Sequence, residues 1–328
     1  MMVINQDKEI DVTAVGSWTN FDHVYRVERI PKPGDTVLIS DSIHNIDEIY
    51  WGGCAPNNIV ASRKLGATCA LISVVGQDFS SRGYEAYLRD LEIDLRGTII
   101  VNGESSGHSF LFCDPNGDTV CISYLGVADK QDEFEPNHDV LSTSKIVIIN
   151  YRFDRFTLKA AQIASNSSGR VIVSGALDTA PEYAEEFIKS AEILVCTEHE
   201  LFNLINLIEL EEPSKLFEVG INALVITKGK KGSVIRSKKL ERKITSVSVT
   251  QVIDPVGAGD GFVGGLATGL AFGYSLEDAV KLGSSVASYV VEAIGCQTNL
   301  PSLNQALKRV YENYRISLEF PIPTNQEQ

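Results

Sequence analysis

Four runs of apolar residues, at 146–150, 171–174, 193–196 and 223–227, constrain this chain more than any other feature. A strand covered on one face alternates apolar with polar residues, so runs this continuous predict burial on both faces. Helical patterns separate them, near 158–165, from Pro181 onward and over 198–208. Strands joined by helices must run parallel, which predicts a sheet with helices on both sides. Short strands expected at 11–16 and 68–75, and helices at 80–91, 276–293 and 303–316, extend the pattern to both ends. With 328 residues and 44% hydrophobic content the chain can bury a large core.

Between 27 and 50 the rhythm changes. Pro31-Lys-Pro-Gly-Asp35 makes a turn, and short strands are expected at 36–40 and 46–51 with no helix between them. That predicts an antiparallel flap, either a lid over a crevice or a dimer surface. Further strands are expected at 93–102, 107–114 and 119–125, with Asp114-Pro-Asn-Gly117 as a hairpin turn. The organisation expected is a single domain over 1–328, its β lid formed from about 24–51 and parts of 97–125.

A net charge of −14 and a pI near 4.9 argue against electrostatic binding to nucleic acid. The six cysteines are scattered, with no C-x-x-C pair, and read as buried thiols of a reducing compartment rather than a zinc site. The first residues lack the apolar core of a signal peptide, and no apolar run reaches the roughly 18 residues a membrane helix needs. A cytoplasmic protein is expected, with residues 321–328 as a loose tail.

The chemistry concentrates at 251–269. A β-rich run over 246–253 leads to Asp254-Pro255, then Gly257, Ala258, Gly259, Asp260 and Gly261 open a helix of small residues. Glycines ahead of a helix leave backbone N–H groups uncovered, and with the positive helix end they make an anion site. Asp260 puts a carboxylate inside it. One reading makes Asp260 a helix cap. The other makes it a general base, taking a hydroxyl proton while the N–H groups hold a phosphoryl group in transfer. Gly259 to Gly264 also matches G-x-G-x-x-G, but the nearby acids Glu277 and Asp278 open a helix instead of ending a strand. Too little chain follows for another βαβ half, and Asp260 would crowd a pyrophosphate. No P-loop motif occurs.

Asp22 follows the first strand, where open sheets bind ligands, and is a candidate for substrate hydroxyls or a solvated loop aspartate. Gly52 and Gly53 open a second helix, beside Asn57 with its donor and acceptor. Lys228-Gly-Lys-Lys-Gly232 is a basic turn that reads as a phosphate contact or a solvated tip. Trp18, Phe21 and Trp51 are aromatic enough to stack on a base or cover a sugar face.

In this order and spacing the pieces resemble the ribokinase-like (PfkB-type) family of sugar and nucleoside kinases, across nearly the whole chain. The resemblance rests on Gly16-Ser17 with Asp22, on Gly52-Gly53 with Asn57 and Leu65-Gly66, and on Val75-Gly76-Gln77-Asp78. It continues through Thr197-Glu198-His199-Glu200 and Thr227-Lys-Gly229 with Gly232. Asp254-Pro-Val-Gly-Ala-Gly-Asp260 is its most specific part, similar to the family signature Asp-Thr-x-Gly-Ala-Gly-Asp.

The resemblance implies an α/β fold, a three-layer α/β/α sandwich with a mostly parallel central sheet and a small β lid. It implies that Asp260 is the base and that the N–H groups of Gly257, Ala258, Gly259 and Asp260 form the anion hole. Asp22, Gly52, Gly53 and Asn57 would hold the substrate. Thr227, Gly229, Gly232, Ser284 and Ser288 would hold ATP, and Glu200 would organise Mg²⁺ through water. Asp254, with backbone oxygens at Val256 and 290–295, would lie at a K⁺ site. A homodimer through the lid is also implied. Two departures stand out: Pro255 replaces the usual Thr, and Thr197 replaces Asn, leaving cation dependence and Mg²⁺ organisation open. The expected activity is phosphorylation of a sugar hydroxyl, with an adenosine-like nucleoside as the alternative. That alternative rests on residues 107–118 and 123–128. A non-catalytic ligand-binding protein on the same fold is the reading of another class.

Overall fold

A computed structural model describes residues 8–16, 18–40, 48–116 and 118–319. Thirteen strands lie among them. β1 (Ile10–Val15), β4 (Cys69–Gly76), β5 (Asp94–Val101), β8 (Ser144–Asn150), β9 (Arg170–Ser174), β10 (Ile193–Thr197), β11 (Ala223–Thr227), β12 (Ser233–Ser237) and β13 (Leu240–Ile244) form one sheet, in the order β13-β12-β11-β10-β9-β8-β1-β4-β5. Its strands from β11 to β5 are parallel, and β12 and β13 add an antiparallel edge. β2 (Asn20–Arg26), β3 (Tyr50–Gly52), β6 (Gly107–Cys113) and β7 (Thr119–Tyr124) form a smaller sheet, β3-β2-β6-β7.

The apolar runs divide by strand period. Val147 and Ile149 of β8 enter one core with Phe156, Phe187 and Leu201, whereas Ile146 and Ile148 enter another with Ile59, Phe262 and Leu266. Side chains of a strand point alternately to its two faces, so four consecutive apolar residues, Ile146 to Ile149, fill both cores. The first core is covered by helices Arg155–Asn166, Ala184–Ser190 and Glu198–Leu207, the second by Cys54–Lys64, Ala258–Ala271 and Leu276–Val290. Helix Ala258–Ala271 is buried from Asp260 to Ala271, which its small residues permit. A Cβ on Gly264 would come 2.6 Å from the Asn58 carbonyl oxygen, and one on Gly265 2.8 Å from Gly283 Cα.

Several local expectations differ. Asp22 lies within β2, not in a loop, and β2 pairs parallel with β6, so the small sheet is mixed. Residues 36–40 form no strand beyond one bridge between Val27 and Ile39; of the strand expected at 46–51, residues 46 and 47 lie outside the described residues and β3 begins only at Tyr50. Residues 97–101 belong to β5, at the edge of the large sheet. The β-rich run expected over 246–253 is not a strand, because its alternating valines lie along the surface without a partner strand. The helix expected over 80–91 breaks at Gly83, whose φ is 85°. Gly117, part of the turn expected at 114–117, and Ser17 also lie outside the described residues.

Candidate active site

The parallel strands end at one edge, at Gly16, Asn150, Ser174, Thr197 and Thr227. The chain leaves β1 towards β4 on one side and returns to β8 on the other, so the crevice between β1 and β8 lies at a topological switch point. There helix Ala258–Ala271 begins. Gly257 stands in the left-handed region at φ 78°, where a Cβ would also come 2.6 Å from Cys296 Sγ. The Ala258 N–H is taken by the Pro255 carbonyl at 3.3 Å. The N–H groups of Gly257, Gly259 and Asp260 make no backbone hydrogen bond among the described residues.

Asp260 does not cap its helix. Its Oδ2 accepts from Asn57 Nδ2 at 2.8 Å, and the Cys54 thiol also bonds to it. Burial pushes its pKa up to about 7, against the pull of those two donors. Asn58 Nδ2 donates to the Asp260 carbonyl at 2.8 Å, and Asn150 Nδ2 to Asn58 Oδ1 at 2.6 Å, joining β8 to Asp260.

Helix Cys54–Lys64 owes its position to the glycines before it. A Cβ on Gly53, at φ 98°, would overlap the Trp18 carbonyl, and one on Gly52 would overlap the Asp22 carboxylate. Asp22 therefore sits against bare backbone. Its pKa rises to about 8, from burial first and then from the charges of Asp260 and Asp254, with a Ser109 bond opposing. Three carboxylates thus face one crevice. Asp254 also clamps two loops, its Oδ1 accepting from Val256 N–H at 3.0 Å and its Oδ2 from Gly295 N–H at 3.2 Å. In the adjoining loop the carbonyls of Val291, Ile294 and Gly295 already accept hydrogen bonds from Ile253, Asp254 and Thr298.

Along the edge, Thr197 and Glu200 form a capping box for helix Glu198–Leu207. The Thr197 N–H donates to Glu200 Oε2 at 2.7 Å, and the Glu200 N–H to Thr197 Oγ1 at 3.2 Å. Thr197 stands in register with Thr227 on β11, and Lys228 pairs with Glu198 at 2.6 Å. Gly232 is fixed by closeness, since a Cβ there would overlap the Ile244 carbonyl. Ser284 and Ser288 lie on helix Leu276–Val290. Ser284 bonds back to the Val280 carbonyl, and buried Ser288 accepts from Arg309 at 2.9 Å. Among the described residues no group of three or more His, Cys, Asp or Glu is arranged to hold a metal, so Mg²⁺ fits here only as an ion carried mainly by phosphates and water.

The aromatic candidates divide. Phe21 is fully buried in the core, whereas Trp18 and Trp51 are half-buried, Trp51 stacking on Tyr84 and Tyr87. Sequence reasoning passed over Tyr151, Tyr84, Gln297 and Cys54. Tyr151 follows β8 at φ 56°, unusual for a bulky residue, with its ring against Gly175. The residue is 41% exposed at one side, yet its phenol pKa is raised, by desolvation of the rest first and then by the charges of Asp260, Cys54 and Glu200. Gln297 Nε2 donates to Asn57 Oδ1 and to the Tyr84 hydroxyl, each at 2.9 Å. The Gly295-Cys-Gln297 step after a long helix was the one available signal, and it is weak.

The family model for pfkB family carbohydrate kinases matches residues 10–303. A nucleoside kinase of Methanocaldococcus jannaschii is 34% identical over 312 residues, covering 93% of this chain and 98% of that protein. Its crystal structure superposes with a TM-score of 0.83 and covers 93% of this chain and 99% of that one, at 32% identity. A nucleoside kinase of Methanothermobacter thermautotrophicus is 28% identical, covering 91% of this chain and 95% of the relative. A ribokinase of Dictyostelium discoideum is also 28% identical, covering 90% and 99%. Fold and relatives define the class, a ribokinase-like phosphotransferase with an alcohol group as acceptor, of the sugar or nucleoside kinase kind. The chain belongs to the pfkB family of carbohydrate kinases.

Proposed function

We propose that the chain is an ATP-dependent nucleoside kinase with Asp260 as its general base. The buried Asp260 carboxylate carries the reading, because it turns away from its own helix end and leaves the glycine N–H groups open. A carboxyl titrating near 7 suits a base at neutral pH. As the acceptor hydroxyl attacks the γ-phosphorus, its proton passes to Asp260. The new O–P bond forms while the bond to the β-phosphate breaks, and ADP leaves. The N–H groups of Gly257, Gly259 and Asp260 hold the equatorial charge. Asp22, Gly52, Gly53 and Asn57 hold the acceptor. With its raised pKa, Asp22 is protonated near neutrality and both donates to and accepts from hydroxyls.

Thr227, Gly229 and Gly232 receive the nucleotide phosphates, with Ser284 nearby and Ser288 behind it. Bound Mg²⁺ would supply neutralisation of phosphate charge, and Glu200, whose Oε2 is taken by the capping box, would hold a water of that ion through its other oxygen. The occupied carbonyls beside Asp254 favour activity that does not need K⁺. A nucleoside is preferred to a sugar because the relative at 34% identity and one of those at 28% are nucleoside kinases. The exposed Ile122 and Tyr124 of β7 support a homodimer through the small sheet, and the free cysteines suit the cytoplasm. ADP release measured over a panel of nucleosides and free sugars tests the choice. Turnover confined to free sugars would refute the nucleoside, and ligand binding without turnover would refute the kinase.

A further inference from the structure

The hydrogen bonds behind Asp260 have a direction, and it is set outside the crevice. The Gly52 carbonyl can only accept, so the Tyr84 hydroxyl, 3.0 Å away, spends its single proton there. Tyr84 oxygen must then accept from Gln297, which fixes that amide with its nitrogen inward, 2.9 Å from Tyr84 and 2.9 Å from Asn57 Oδ1. Asn57 has its oxygen occupied and turns Nδ2 to Asp260 at 2.8 Å. The three side chains between the carbonyl and Asp260 are buried, and Gln297 Oε1 has no partner among the described residues. A buried acceptor left unsatisfied is costly, so something holds the amide in that orientation.

We infer that Gln297 is a positioning residue: anchored by Tyr84, it locks the Asn57 amide with its N–H towards the carboxylate that receives the substrate proton. This deepens the reading of Asp260 as base and rests on it. The other groups facing Asp260 are Asp22 on β2, the Cys54 thiol, the Tyr151 phenol after β8 and the Cys296 thiol, with no cation among them. Asn57 and Cys54 are therefore what favours the ionised form. If the Asn57 amide turned over, oxygen would face oxygen, and the carboxyl would hold its proton to higher pH.

Gln297→Met keeps the length and removes both donors, and Tyr84→Phe removes the anchor alone. The ¹³C carboxyl signal of Asp260, assigned by its loss in Asp260→Asn, is titrated in each full-length variant alongside the pH profile of kcat/KM. The midpoint and the acid limb should both rise by roughly one pH unit in Gln297→Met and by less in Tyr84→Phe. The double variant should move no further than Gln297→Met, since both act through one chain. Midpoints within about 0.3 pH unit of the parent in both folded variants would overturn the inference, whatever happens to kcat. So would a loss of rate that is uniform across pH. Because the carboxyl titration needs no turnover, it tests the relay even if Asp260→Asn proves active and the base reading falls.

Discussion

A carboxyl held buried with a raised pKa costs the fold stability, and the cost has a definite pH dependence. Asp260 is 8% exposed, and its pKa moves from 3.8 to about 7 on folding. Between those values the unfolded chain has ionised this group and the folded chain has not. The folded state binds the extra proton, so this group's contribution to stability falls as pH rises from about 4 to 7 and is level above. Asp260→Asn cannot ionise and escapes the loss. From pH 5 to the folded pKa is about two units, each worth about 1.4 kcal/mol, so the variant should gain roughly 2–3 kcal/mol on the parent between pH 5 and pH 8.5. Taking the difference between two pH values removes any fixed penalty for fitting an amide beside Asn57. Urea unfolding at both pH values measures it. Equal stability differences at pH 5 and pH 8.5 would refute the reasoning, since Asp260 would then titrate alike in both states.

Other consequences are as direct. Gly52→Ala places a methyl on the Asp22 carboxylate and should raise the acceptor KM about tenfold or more, read in steady-state kinetics, with ATP KM little changed. Gly264→Ala puts a Cβ 2.6 Å from the Asn58 carbonyl oxygen and should cost about 1–3 kcal/mol in urea unfolding, with no compensating gain. Glu200→Gln keeps a capping box, because glutamine accepts the Thr197 N–H equally well, so Tm should hold while the Mg²⁺ concentration for half-maximal rate rises several-fold. Glu200→Ala should lose both.

What the sequence reveals about this molecule follows from range. The strands at 146–150 and 193–196 were legible because an apolar run decides its own burial. The glycines at 52, 53 and 257 were legible because a helix start announces itself within a few residues. Asp22 reads as a loop residue because Asn20–Arg26 carries an aspartate, a histidine and an arginine among its apolar residues, and the room that the bare Gly52 leaves for the Asp22 carboxylate is not visible in the sequence. The run over 246–253 misled in the opposite sense, having strand residues and no strand to pair with. Gln297 was invisible for a different reason. It is a neutral side chain 240 residues from Asn57 in sequence, and its meaning lies wholly in which atom it turns towards whom. The cap reading of Asp260 could be decided only by seeing its carboxylate face Asn57.

On the proposed mechanism Asp260 takes the acceptor proton. Turnover and ADP binding of Asp260→Asn, compared with the parent at pH 8 on whichever acceptor the panel identifies, test it most directly. A kcat lower by about 10²–10⁴-fold with ADP affinity within about twofold is expected. A variant that keeps its rate to within about threefold would contradict it.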